Sequence, residues 1–210
     1  MRRALWAAAL LLGGCVTAPK TVFEATYLHP GWEGASFSTV VVLPISDEVA
    51  LRKAFSDTVV QYLSAWTDRA ARGYDVLPRS VYDPQATGRV PAGFDTSLIR
   101  KRLADAGFQA ALTVAYRPKE TRAPGAPHAW SERTLGEYFP NRYAEAHAGG
   151  PAPAEALIET NLYDTATGRV IWSSHSRTVE TADDVSMAQS YAAAVVGELV
   201  KRGLIAKKAP

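Results

Sequence analysis

Few residues of this chain carry chemistry that could act alone. Cys15 is the only cysteine among 210 residues, so its thiol has no partner within the chain and is available for covalent modification. Ser173-Ser174-His175 offers a hydroxyl and an imidazole base. Neighbouring strand residues point to opposite faces, so Ser174 and His175 cannot meet, whereas Ser173 and His175 share a face. A base must reach the nucleophile's proton and be oriented in turn, so the expected role of this trio is the polar face of an edge strand. Asp183-Asp184 pairs two carboxylates, which helix capping explains. His29, His128 and His147 fall in irregular segments without ligand spacing. The chain has no Gly-x-Ser-x-Gly elbow, phosphate-binding glycine loop, His-Glu-x-x-His or cysteine pair. The expectation is a protein that is not an enzyme, with no catalytic residues, cofactor or metal.

Cys15 takes its meaning from what precedes it. Arg2 and Arg3 lead into an apolar run from Ala4 to Leu12, then Gly13-Gly14. That order is the basic region, apolar region and small-residue cleavage site of a bacterial export signal. The run is too short to span a bilayer, which needs ~20 apolar residues. Leu12-Gly13-Gly14-Cys15 resembles the lipobox of bacterial lipoproteins. The resemblance implies a signal peptide over residues 1–14, cleavage before Cys15, diacylation of its sulfur and acylation of the new amine. Val16 rather than Asp follows the cysteine, which in that family's sorting rule implies the outer membrane. Each buried acyl CH2 contributes ~0.8 kcal/mol, so membrane lipid, reached through Cys15, is the first expected partner.

Residues 15–210 suit one domain, and a chain of that length buries roughly 70% of its unfolded surface. The formal charge of +2 comes from 23 basic and 21 acidic residues. Arg2 and Arg3 leave with the signal, which contains no acid, so the remainder is neutral. Without a basic excess there is no electrostatic case for nucleic acid as a partner.

Residues 15–38 read as a lipid-anchored tether with a turn at His29–Gly31; Trp32 and Phe37 are placed to pack on the domain edge. Thr39–Pro44 is a continuous β-branched and apolar run, as in a strand buried on both faces. Ser46-Asp47-Glu48 then opens a helix whose stripe is Leu51, Phe55, Val59, Tyr62 and Trp66, with Gly73 as its stop. Tyr74–Pro78 reads as a second strand. A turn-rich loop leads to a helix carrying Leu98, Ile99 and Leu103, with Arg100, Lys101 and Arg102 outward and Gly107 as its stop. Phe108–Tyr116 is a third strand. Residues 156–179 read as a hairpin turning at Asp164–Arg169. The last helix is capped near Thr181–Asp184, carries Ala188, Tyr191, Val195 and Leu199, and ends at Gly203.

Residues 117–153 interrupt this order with six prolines and Gly125, Gly149 and Gly150. Long irregular loops inside a compact domain are uncommon and often functional. Trp130, Tyr138, Phe139 and Tyr143 lie within it. They either anchor the excursion onto the domain or form a partner-binding surface, since aromatics are favoured interface anchors.

The expected fold is therefore α/β: a single domain over residues 39–205 with a mixed β-sheet in the order β-α-β-α-β, excursion, β-hairpin, α. Three stretches carry a family resemblance: Val40–Pro44 entering an amphipathic helix, Ala106–Val114 entering the third strand, and Asn161–Ser173 through the hairpin turn. Together they resemble small periplasmic lipoproteins built on the α/β domain of the curli secretion channel, with related architecture in the lipoprotein activator of penicillin-binding proteins. The lipobox, a sheet domain with no catalytic constellation and the aromatic-bearing excursion together point to a non-enzymatic, periplasm-facing accessory or assembly factor at the outer membrane that binds another envelope protein. The alternatives are an envelope hydrolase and an oligomeric secretion subunit.

Overall fold

A computed structural model of the chain describes residues 20–34, 36–46, 48–78, 96–117, 134–136, 155–179 and 183–206. The elements are β1 (Thr21–Leu28), β2 (Thr39–Ile45), α1 (Val49–Ser64), β3 (Arg69–Arg72), α2 (Gly73–Val76), α3 (Thr96–Asp105), β4 (Ala110–Arg117), β5 (Glu155–Asp164), β6 (Val170–Val179) and α4 (Asp184–Lys201). The six strands form one sheet in the order β1-β6-β5-β4-β2-β3. β2 runs parallel to β3 and β4, and the other pairings are antiparallel. This is the mixed α/β sheet that the sequence pattern predicts.

β2 sits between two strands and under helices on both faces, which is why Val40, Val41, Val42 and Leu43 are all fully buried. The strand continues through Pro44 to Ile45 rather than stopping at the proline. β3 pairs only as far as Val42, so Pro44 faces a ladder on the β4 side alone and its missing N–H leaves fewer bonds unmade. In α1, Leu51, Phe55, Val59 and Leu63 recur at four-residue spacing and are buried. The helix stops earlier than Trp66. Thr67 bonds its amide and its hydroxyl to the Leu63 carbonyl at 2.8 and 2.9 Å, closing the last turn.

α3 and α4 end alike. Gly107 and Gly203 take φ of +77° and +71°. At α3, the Phe108 amide reaches the Leu103 carbonyl and the Gly107 amide reaches Ala104. At α4, Leu204 reaches Leu199 and Gly203 reaches Val200. Both are Schellman stops, which need the left-handed backbone that glycine adopts without steric cost. Leu204 and Ile205 then fold back, and Ile205 bridges Phe37.

Two cores result. α1 and α4 cover one face, where Phe55 packs on Tyr191 with ring centroids 5.1 Å apart. The other face holds Ile99 and Leu103 of α3 with Phe108, Leu135 and Tyr163.

Two expectations change. Residues 21–28, expected within the tether, form an edge strand antiparallel to β6. Thr21, Phe23, Ala25 and Tyr27 are its half-buried positions and alternate with exposed ones; Phe23 meets Trp172 edge-on at 6.3 Å. A strand half covered on one side needs only this weak alternation. Residues 74–78, expected as a strand, hold the short helix α2, and the strand is β3, immediately before it. Arg69-Ala70-Ala71-Arg72 lacks an apolar run because an edge strand is held by backbone pairing to β2. Tyr74, Val76 and Leu77 instead pack sideways into the second core.

β2, β4 and β6 all finish at one end of the sheet, and β1, α1 and α4 all begin there. The β5–β6 turn lies at the opposite end.

Candidate functional site

The chemistry-bearing residues of the hairpin come together inside the molecule rather than on its surface. On β5 and β6 the register sets His175 opposite Glu159 and Ser173 opposite Asn161; Thr113 of β4 lies opposite Asn161 on the other side. The five form one polar row across the sheet face that carries α3. All are buried, and Glu159, Asn161 and Thr113 are wholly so. Within the row, Asn161 Nδ2 donates to Glu159 Oε1 at 3.3 Å, and Thr113 Oγ1 donates to the Asn161 carbonyl at 3.4 Å. The hydroxyl of Ser173 and the Oδ1 of Asn161 have no hydrogen-bond partner among the described residues.

That placement corrects the expected polar edge-strand face. β6 is not an edge strand: β1 lies outside it and β5 inside. Ser173, Ser174, His175 and Ser176 are therefore all buried. Ser173 and His175 share a face, but no hydrogen bond from Ser173 Oγ joins them. The serine lacks the proton contact to a base that nucleophilic activation requires.

The opposite face of β5 is tied to a helix. Thr160 Oγ1 and the Tyr191 hydroxyl lie 2.6 Å apart in the buried core. Burial drives the Tyr191 phenol far above its ordinary pKa, with the Thr160 bond working weakly against it.

At the β3 edge, Asp57 of α1 gathers three donors: Lys53, Arg72 Nη1 at 3.0 Å and the Tyr74 hydroxyl at 2.9 Å. Partial burial would raise the Asp57 carboxyl, but bonds from Lys53, Arg72 and Tyr74 outweigh it and hold the pKa at about 2. Arg72 also bonds Asp75 at 2.7 Å and lies over the Tyr74 ring, 4.9 Å from its centroid. Burial and the Asp57 carboxylate push Tyr74 up to about 12. This network clamps α1, β3 and α2 together.

Open α/β sheets bind ligands beyond the carboxyl ends of their parallel strands. Among the described residues little of that crevice is open. Pro44, Ile45, Leu51, Phe55, Val114 and Ile158 leave about 10 Å³, no more than one water. A wider open cleft of about 390 Å³ lies at the other end, beside Phe37, Gly107, Phe108, Gln109, Thr165 and Ala166.

Asp183 caps α4 through the Ser186 amide at 2.7 Å, with Asp184 in the first turn. That bond holds the Asp183 carboxyl below its usual range. His29 accepts locally from the Gly31 amide. Among the described residues no group of three or more His, Cys, Asp or Glu is placed to hold a metal, and no helix is long and apolar enough to cross a membrane. Cys15, Trp130, Tyr138, Phe139, Tyr143, His128 and His147 lie outside the described residues. The burial of the polar row was not legible from its residues, because the covering strand β1 carries so weak a pattern.

No family model matches the chain. No curated protein matches it either. Among solved structures it is similar to the PelC dodecamer from Paraburkholderia phytofirmans, at 14% identity over 88% of this chain and 99% of that one, with a TM-score of 0.46. A single-substitution variant of the same dodecamer aligns at 12% identity over 85% and 95% of the two chains, with a TM-score of 0.43.

Proposed function

We propose that the chain is a lipid-anchored, non-enzymatic envelope protein, held at the outer membrane through Cys15, whose α/β domain binds another envelope protein. The observation that carries this reading is the run Leu12-Gly13-Gly14-Cys15 behind a basic and apolar leader. Two features of the domain support the non-enzymatic part. The hydroxyl and imidazole of the hairpin are buried without forming a nucleophile–base pair, and among the described residues the crevice at the strand ends has room for about one water. Trp130, Tyr138, Phe139 and Tyr143 are the proposed partner contacts, as aromatic rings that suit interface anchors.

The test has two parts. The mature chain isolated from membranes should begin at Cys15 and carry the mass of added acyl chains. Cys15→Ala should remain uncleaved and leave the outer-membrane fraction. Normal processing of that variant would overturn the anchor. For the partner, in vivo crosslinking from positions 130 and 138 should give one discrete adduct with an envelope protein; absence of any adduct from either position would overturn the assignment of this segment.

A further inference from the structure

We infer that the domain docks end-on against the lipid surface, with the end of the sheet at which β1, α1 and α4 begin facing the membrane. This rests on the lipid anchor proposed at Cys15.

The first argument is length. With β1 starting at Thr21, six residue steps separate Cys15 from the first residue of the sheet. Fully extended, they span at most roughly 22 Å. The sheet itself is longer, since the ten residues of β5 extend about 33 Å. The anchor therefore keeps the start of β1 within roughly 22 Å of the acyl chains and cannot present the β5–β6 turn to the membrane while β1 stays paired. A tether running to residue 38 would have allowed it.

The second argument is composition. Val22, Val49 and Val185 are 41, 64 and 52% exposed. Val22 is the second residue of β1, Val49 the first of α1 and Val185 the second of α4. Three elements from distant parts of the chain thus leave an apolar side chain uncovered at the same end, the end where the anchor must attach. Exposed single valines are ordinary on a protein surface; their convergence beside the chain's expected lipid attachment is what selects a membrane. Charge does not select the lipid. Lys20 is exposed there, but so are Glu48 and Asp183, so the contact is apolar and should not depend on anionic headgroups. Leu28, 37% exposed at the far end of β1, marks the rival arrangement, in which the β1 edge lies flat on the bilayer.

The experiment uses the full lipidated chain, purified from membranes and reconstituted into phosphatidylcholine vesicles. Val49→Cys, Val185→Cys and Ala166→Cys variants each receive an environment-sensitive fluorophore, and quenching by headgroup-spin-labelled lipid is compared. All three positions are exposed, and position 166 sits in the β5–β6 turn. The expected result is quenching at 49 and 185 roughly threefold or more above that at 166, unchanged by added salt. Equal quenching at the two ends, or none at 49 and 185, on chains whose mass shows the acyl groups would overturn the end-on docking alone. An unmodified Cys15 in the same mass spectrum would overturn the anchor and the docking together.

Discussion

The Thr160 hydroxyl and the Tyr191 phenol meet at 2.6 Å in the core, joining the middle of β5 to α4 where no water competes. Each group satisfies the other, and losing either partner strands the other in an apolar setting. Tyr191→Phe should therefore lower stability by about 1–3 kcal/mol in urea unfolding, and Thr160→Val by a similar amount. The double variant should lose clearly less than the sum. Strict additivity would show that the bond contributes nothing to the folded state.

The Asp57 cluster makes stability depend on acid. Its carboxyl sits at about 2 in the folded chain against an ordinary 3.8. A depressed carboxylate stabilises the fold above the unfolded value, and that contribution fades as pH falls from 3.8 through 2. Asp57→Asn should thus be less stable than the parent at neutral pH, with the gap closing below pH ~2. The side chains of Asp57 and Arg72 are 34 and 38% exposed, so solvent limits the neutral-pH loss to about 1 kcal/mol. Thermal melts of both chains between pH 7 and 2 would settle the direction.

Gly107 adopts φ +77° and a Cβ added there would meet nothing within 4 Å. Gly107→Ala should destabilise through the backbone alone, by about 1–2 kcal/mol. The same change at Gly197, within α4 and also facing open space, should stabilise by up to about 1 kcal/mol, because alanine is the better helix former. Opposite signs for the two variants are the diagnostic result.

Ser173 carries a buried hydroxyl with no partner among the described residues. Ser173→Ala should be neutral or stabilising, since the desolvated group is removed rather than orphaned. Should a hydrolase screen of the full chain find an activity that Ser173→Ala and His175→Ala both abolish, the non-enzymatic reading would fall.

β1 is the element whose role changed most. It shields the outer edge of β6, and an uncovered edge strand invites pairing with other chains. A chain starting at residue 20 should fold as the longer form does, whereas one starting at residue 29 should melt lower and aggregate. Equal melting of the two would restore a plain tether over this stretch.

Much of the architecture was legible along the chain because it repeats locally. The apolar run of β2, the four-residue spacing of Leu51, Phe55 and Val59, the glycines at 107 and 203 and the hairpin turn at 164–169 each state their structure within a few residues. So does the placement of Cys15 behind an apolar leader, which remains a matter of sequence. What only the tertiary structure decided concerns the edges. β1 and β3 are held by backbone pairing to neighbours far away in the chain, so neither needs a strong side-chain pattern. The presence of β1 turns Ser173–Ser176 from a supposed surface into interior. It also shortens the link between Cys15 and the sheet to a few residues, because pairing with β6 draws in a segment whose composition alone reads as tether.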